Sequence, residues 1–560
     1  MLGTGNKLNY LFTKKNYLII IVFCCLFFSW QKNAPQKKPN IVLILADDLG
    51  YSDLGCFGSE IATPNIDSLA KHGQIFTNFY TAAACSPSRA MLLSGTDNHI
   101  AGLGDMAEHV PGVPEEIGKP GYEGFLNDKV ICVAQLLKNA GYHTYISGKW
   151  HLGLEPEQSP TANGFERSFA LLDAYANHFV PDKRESSFWQ DGNYTNYPNG
   201  QYSTDLYTDK AIGFIENNRQ DNKPFFLYAA YTSPHWPLQA PLNFIEKYHG
   251  IYDMGYDSLR TNRFNALKKK SLVAKDVVLP PLPSVKGDLY NISHIPLLHW
   301  TSLDKNQQKI EARKMEIYAG MIDNLDYNIG RLIQYLKEIG EYDNTLFVFF
   351  SDNGPSSADA NATPDKANPY PYMGTANSFV AYGSQWAHAS SAVNSFYKGY
   401  SAEGGIHSPM IIKMPYQEKG NGIDTAFCTI MDLAPTLLDV ANAKYPSVKN
   451  SKSLMPYKGA SLLPLLTKEK NKIHNDDYVM GWELFGRCAL RKGKWKITKI
   501  EPPFGKGVFE LFNIKDDPTE SHDLSKQYPD KYNELLNEWK NYVKDNGVIL
   551  SSELSKQKNE

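Results

Sequence analysis

A chain of 560 residues is too long for one compact hydrophobic core, so one large domain and a smaller one are expected. With 42% hydrophobic and 21% charged residues, the composition is that of an ordinary globular protein. A formal net charge of -3 gives no basis for a nucleic acid or an anionic membrane as partner. Aromatic residues make up 12%, with 34 Tyr; that suits stacking on sugar or aryl rings, and crowded loops explain it equally well.

The N-terminus reads as a targeting segment. Lys7, Lys14 and Lys15 precede an apolar run over 17–28, followed by a polar stretch rich in Gln, Lys, Asn and Pro. The run is shorter than a membrane span and its flanks match a secretory signal. Residues 1–30 are therefore expected to be a signal peptide, and the mature chain to be exported (periplasmic or secreted) without a membrane span. Phe23 stands before Cys24 where a lipid-attachment signal carries a small residue, so an anchor on Cys24 or Cys25 is the lesser option. Five cysteines remain, Cys56, Cys85, Cys132, Cys428 and Cys488. An odd number without CxxC pairs is no disulfide framework; one special and four inert cysteines fit it.

The apolar run 40–46 lacks polar alternation, which predicts a strand buried on both faces, hence parallel and central. It ends in Asp47-Asp48. One Asp suffices to cap the next helix. Two at a buried strand end repel each other unless a cation lies between them, and open α/β sheets place ligands at that end. A short helix follows over 63–73. In Cys85-Ser-Pro-Ser-Arg89, Pro87 suits a first helical turn, so Cys85 is expected just before a helix whose free N–H groups favour an anion. Arg89 adds a forked cation. A small buried cysteine is the commoner reading of Cys85 taken alone.

Helical spacing over 129–139 leads to a strand over 142–147, which delivers Lys149 and His151. A helix at 210–217 precedes the strand 225–230, which delivers His235. Residues 244–302 lack strong periodicity and read as an insertion walling a substrate pocket. An apolar stripe predicts a long helix over 309–339, with Asp323 and Asp326 solvated or structural. The next apolar strand, 345–350, ends in Asp352-Asn353. The long polar stretch 355–396 reads as functional, and Lys398 follows it, then Glu403-Gly-Gly-Ile-His407. A strand at 410–413 and a helix at 431–440 complete the large domain, 38–475. Shorter strands at 478–485, 495–497 and 509–512, with a Lys-rich final helix, give the small domain, 476–560.

Cys85-x-Pro-x-Arg89, Asp47-Asp48, Lys149, His151, His235, Asp352-Asn353 and Lys398 resemble, in order, the site of the type I sulfatases. The stretches 61–67, 119–124, 164–169 and 233–241 resemble the bacterial arylsulfatases in particular, and the likeness spans roughly 38–545. It implies an α/β fold like that of alkaline phosphatase. A large, mostly parallel or mixed sheet would lie between helices, with a small C-terminal antiparallel sheet and helix. It also implies hydrolysis of a sulfate ester, of a phenol or a sugar, by formylglycine (3-oxoalanine) made from Cys85, through a covalent sulfo-enzyme. Ca²⁺ would be held by Asp47, Asp48, Asp352, Asn353 and the modified Cys85. By the same resemblance Arg89 steadies the hydrated aldehyde and Asp352 activates its attacking hydroxyl. Lys149 and Lys398 grip sulfate, His235 protonates the leaving group, and His151 takes the proton that lets sulfate depart. A formylglycine-generating or radical sulfatase-maturating enzyme is the implied partner. His407 stands where the family commonly has Arg. Rival readings are a phosphonate or phosphate ester hydrolase of the same superfamily, and a non-catalytic binder of sulfated glycans.

Overall fold

The computed structural model describes residues 37–181, 187–287, 292–359, 369–449 and 451–550. The expected signal peptide, with Cys24 and Cys25, lies outside them. The chain divides into two compact units, Met1–Lys38 and Pro39–Glu560, and every strand and helix described belongs to the second. Among the described residues no helix is long and apolar enough to cross a membrane, and the five cysteines are free.

The first strand, Asn40–Ala46, is buried at every position and lies in the middle of an eleven-stranded sheet. It pairs in parallel with Thr345–Ser351 on one side and Phe225–Ala230 on the other. His143–Lys149 and Arg167–Leu171 extend the parallel set. His407–Lys413 and Gln74–Tyr80 continue the other edge antiparallel, which makes the sheet mixed. Apolar clusters fill both faces, as uninterrupted apolar strands require.

The helix Lys305–Glu338 starts four residues earlier than its apolar stripe suggests, because Asp304 caps it by accepting from the N–H groups of Asn306 and Gln307. Asp326 on this helix is structural. Buried, it accepts from the N–H groups of Asn65 and Ile66 at the start of the helix Pro64–His72, clamping the two helices together.

The insertion 244–302 is more ordered than its sequence suggests and is placed differently. Its helix Gly255–Lys269 packs on the helix Gly383–Ser390. Arg263 fixes it there, with ion pairs to Asp53 and Glu60. Beyond the large sheet, the strands Val479–Leu484, Arg487–Lys492, Trp495–Lys499 and Phe509–Asn513 form an antiparallel sheet. The helix Pro529–Asn546 packs on it through Leu535, Trp539 and Tyr542.

Candidate active site

Register brings the predicted residues together. Ala46 lies opposite Ser351, so Asp47-Asp48 and Asp352-Asn353 leave two adjacent parallel strands side by side. Leu45 and Gly148 both lie opposite Ala230, so Lys149 and the turn carrying His235 leave at the same edge. Gly148 is required there: with φ +120, a Cβ would come within 1.9 Å of the Ala230 carbonyl oxygen. Asp48 and His151 both adopt positive φ, 68 and 55, an uncommon conformation for residues with side chains.

Cys85 reaches this edge as the first residue of the helix Cys85–Ser94, not as the last residue before it. Ala84 is extended and Pro87 falls in the first turn, where its missing N–H is not needed. The Ser88 hydroxyl accepts from the Ala82 N–H at 3.0 Å and pins the incoming chain. The Cys85 Sγ is 3.2 Å from Asp47 Oδ1, 3.8 Å from Asp48 Oδ1 and 2.9 Å from Lys398 Nζ.

Three carboxylates face three cations. Lys149 Nζ donates to Asp47 at 2.8 Å, and Lys398 Nζ donates to both oxygens of Asp48, at 2.7 and 3.0 Å. Arg89 donates through Nε and Nη2 to one oxygen of Asp352, at 3.1 and 2.8 Å, and through Nη1 to the Lys149 carbonyl. Burial alone would raise the pKa of Asp47, but Lys149, His235 and Arg89 outweigh it and hold the group well below the usual range. Asp352 goes the other way: burial, with the charge of Asp47, pushes it up to about 7 against Arg89. Burial and Asp47 push the Cys85 thiol well up, and Asp48 holds Lys398 protonated against its burial. The thiol as it stands is therefore a poor thiolate nucleophile.

The donor set suits a hard divalent cation. Asp47, Asp48, Cys85 and His235 present ligand atoms within 4.8 Å of one another. Asn353 Nδ2 is committed to Asp48 and to the Gly354 carbonyl, which fixes the amide and leaves its buried Oδ1 without a partner. The cluster thus joins hard oxygen donors, the two carboxylates and the unpartnered Asn353 amide oxygen, to the Cys85 thiol and the His235 imidazole.

Both histidines border the cluster. His235 Nδ1 lies 2.6 Å from the Trp236 carbonyl, which makes Nδ1 the donor and turns Nε2 toward Asp48 at 3.5 Å. Burial lowers its pKa to about 4, although Asp48 opposes this. His151 Nε2 lies 3.2 Å from Glu108, while its buried Nδ1 has no partner. Burial lowers the pKa of His151 as well, and Glu108 partly restores it.

These groups floor a cavity of about 330 Å³ whose walls include Met106, Glu108, Leu172, Asp173, Tyr175 and Trp236. None of its described lining comes from the insertion 244–302, because the ion pairs of Arg263 hold that helix elsewhere. The rings of Tyr175 and Trp236 lie 4.5 Å apart, and Phe379 lies 5.5 Å from Trp236. Glu108 and Tyr175 were not legible as site residues, since both sit in loops without periodicity. Trp236 was visible beside His235, but its place in the wall was not. His407 lies outside this cavity: it meets the Thr77 carbonyl at 2.7 Å and stacks on Tyr80.

The family model described as Sulfatase matches residues 39–443. This chain belongs to the sulfatase family. A second model, for the C-terminal region of N-sulphoglucosamine sulphohydrolase, matches residues 393–546 of this sulfatase. An uncharacterised sulfatase of Schizosaccharomyces pombe is 41% identical over 93% of the chain and 96% of its own length. An arylsulfatase of Klebsiella aerogenes is 36% identical over 77% and 92%. The crystal structure of Ps i-CgsB in complex with k-i-k-neocarrahexaose superposes with a TM-score of 0.64 at 26% identity, covering 91% of this chain and 94% of that one. The sulfatase is a hydrolase of sulfuric esters with the α/β fold of the alkaline phosphatase superfamily.

Proposed function

We propose that this sulfatase removes sulfate from a saccharide, using formylglycine made from Cys85 and Ca²⁺ held by Asp47, Asp48, Asp352 and Asn353. The observation that carries the reading is the position of Cys85. Its Sγ is wedged between two carboxylates and a lysine, where the thiol is a poor nucleophile but a side chain would touch both a bound cation and a substrate anion. Formylglycine supplies a hydrated aldehyde, with one hydroxyl to attack sulfur and a second to release sulfate without water attacking sulfur. The calcium ion supplies charge that offsets what builds up on sulfate oxygens.

The chain's own residues do the rest. Arg89 holds Asp352 by two hydrogen bonds to one oxygen, leaving Oδ1 turned toward the Asp48 N–H. Lys149 and Lys398 each present an ammonium at the cluster to bind sulfate oxygens. His235, oriented by the Trp236 carbonyl, holds Nε2 where a leaving oxygen departs, with Lys398 beside the same carboxylate. His151 is neutral near pH 7, so it can accept a proton. A formylglycine-generating or radical maturating enzyme is the implied partner.

A saccharide fits the wall of Tyr175 and Trp236, whose rings can stack on a sugar as they can on a phenol. The second family model, of a glucosamine sulphohydrolase, and the neocarrahexaose complex of Ps i-CgsB point to the saccharide. The test has two readouts on protein from its native host. One is mass spectrometry of the tryptic peptide 72–89; the other is sulfate release from sulfated sugars and an aryl sulfate. An aldehyde at position 85 with release from the sugars is the expected result. An unmodified cysteine in protein lacking sulfatase activity would overturn the mechanism.

A further inference from the structure

A second cavity, of about 910 Å³, lies between the strand Gln74–Tyr80, the C-terminal sheet and the segment 272–277 of the insertion, and shares no described lining residue with the pocket at Cys85. Arg491, on the strand Arg487–Lys492, lines it and is only 7% exposed. Its guanidinium sits between two rings, 4.8 Å from the centroid of Tyr80 and 4.2 Å from that of Phe427. Nε donates to the Gly493 carbonyl at 3.0 Å, and Nη1 donates to Asn78 Oδ1 at 3.1 Å. Among the described residues Nη2 has no hydrogen-bond partner and the guanidinium meets no carboxylate. Nη2 is thus the one nitrogen of the group left open to the cavity. Among the described arginines, Arg89, Arg263 and Arg487, buried more deeply, each meet a carboxylate, whereas Arg260, equally 7% exposed, donates to the Pro280 carbonyl and, like Arg491, meets none.

The rest of the cavity shares this excess of positive charge. Lys494 and Lys515 are exposed on its lining, and neither has an acidic partner among the described residues. Three lining acids are already engaged: Glu403 with Lys496 at 2.7 Å, Glu534 with Lys492 at 3.1 Å, and Asp476 with Lys472 at 3.3 Å. Of the lining acids, Asp477 alone has no ion pair among the described residues. Tyr478 and Trp495 also line it, half-buried; Tyr478 stacks on His474 at 3.9 Å and Trp495 lies 5.0 Å from Tyr528, so part of each ring borders the cavity.

We propose that this cavity is a second, non-catalytic site that binds the sulfate group of a sulfated saccharide. Arg491 meets the sulfate oxygens through its open Nη2, Lys494 and Lys515 meet neighbouring sulfates, and the aromatic faces carry the sugar rings. The volume lies within the range of saccharide-sized ligand pockets. The proposal rests on the saccharide reading of the active site. Free sulfate, the reaction's product, shares the recognised chemistry and is separated from the saccharide by experiment.

The test is titration calorimetry on Cys85→Ala protein, which cannot cleave the probe, using a heparin-derived hexasaccharide and sodium sulfate in turn. The same titrations are run in Cys85→Ala/Arg491→Gln and Cys85→Ala/Lys494→Glu/Lys515→Glu. The expected result is a hexasaccharide binding event whose Kd rises at least tenfold in both variants, and which sodium sulfate competes for. Identical isotherms in all three proteins would overturn the proposal. So would sulfate binding that depends on Arg491 without any hexasaccharide event that does. Turnover of p-nitrophenyl sulfate by Arg491→Gln with Cys85 intact reports its folding, and the exposed lysine pair carries the test if that variant does not fold. Failure of the saccharide reading itself has a different signature: wild-type protein would release sulfate from the aryl ester and from no sugar, whatever the isotherms show.

Discussion

Two buried ionic networks lie a few residues apart after the first strand, and they differ in what they leave unused. The guanidinium of Arg263 is closed: Asp53, both oxygens of Glu60 and the Ser59 hydroxyl accept from it, and Tyr318 and the Gly50 N–H complete Asp53. The cluster around Cys85 is open. Its charges are nominally matched, yet Asn353 Oδ1 and His151 Nδ1 are buried without partners among the described residues. A closed network holds a helix in place. An open one retains atoms aimed at something that arrives later, which is what a catalytic site requires.

Substitutions should separate the two networks cleanly. Cys85→Ala removes the reacting position and should lower kcat by at least about 10⁴-fold, with the thermal unfolding profile nearly unchanged. Turnover assayed beside differential scanning calorimetry checks both halves. Arg263→Met should do the reverse. It leaves Asp53 buried without its cation and should cost about 3–5 kcal/mol in urea unfolding, with kcat/KM per folded molecule near wild type. A loss of activity without a loss of stability in Arg263→Met would erase the distinction.

A second closed network, joining the short helix Asn98–Ala101 to the C-terminal sheet, gives a test by pH. Burial disfavours charge on His99, but hydrogen bonds to Asp97 and Glu483 outweigh it and lift the pKa from 6.5 to about 9. A group whose pKa is raised on folding stabilises below its unfolded pKa and loses that contribution as pH rises. Stability should therefore decline between pH 6.5 and about 9, by at most about 3 kcal/mol. His99→Gln should flatten that slope in urea titrations taken at several pH values.

The same contrast decides how much was legible in the sequence. Strands buried on both faces announce themselves as unbroken apolar runs, so 40–46 and 345–350 were readable, and so were the acids at their ends. Those acids are local to the strand and need no knowledge of tertiary structure. Arg89, Lys149, His151 and His235 were singled out by the ordered motifs that resemble the sulfatases, each lying at or shortly after a strand end or in a helix start. Cys85 was placed one residue outside a helix that in fact begins with it, because Pro87 marks the first turn and not its first residue. The insertion 244–302 was placed at the pocket on its weak periodicity and Pro-rich stretch. Its position is decided by Arg263 pairing with acids about 200 residues earlier in the chain, which no local pattern encodes. Arg491 was unreadable for the same reason: its burial between Tyr80 and Phe427 exists only once three distant segments meet.

Glu108 offers the smallest test, and it falls where the two kinds of network meet. Its carboxylate is partly exposed at the pocket wall, yet it contacts His151 Nε2 at 3.2 Å, and the charge of His151 overrides burial to hold Glu108 down to about 2. Glu108 does not reach Cys85 in any contact of the described residues, so its effect must pass through the imidazole. By accepting from Nε2 it selects the tautomer whose Nδ1 carries a lone pair, the atom left buried and unpartnered. Glu108→Gln keeps the shape and removes the charge. Without the carboxylate that raises it, the pKa of His151 falls further, so the acidic limb of the kcat/KM profile should move to lower pH. The rate on the plateau should drop about tenfold, because the amide can also donate and no longer enforces one tautomer. Glu108→Ala should move the limb in the same direction and lose more rate, since the ring is then free to turn. An unmoved acidic limb in both variants would show that His151 does not govern it, and would reduce Glu108 to a residue of the pocket wall.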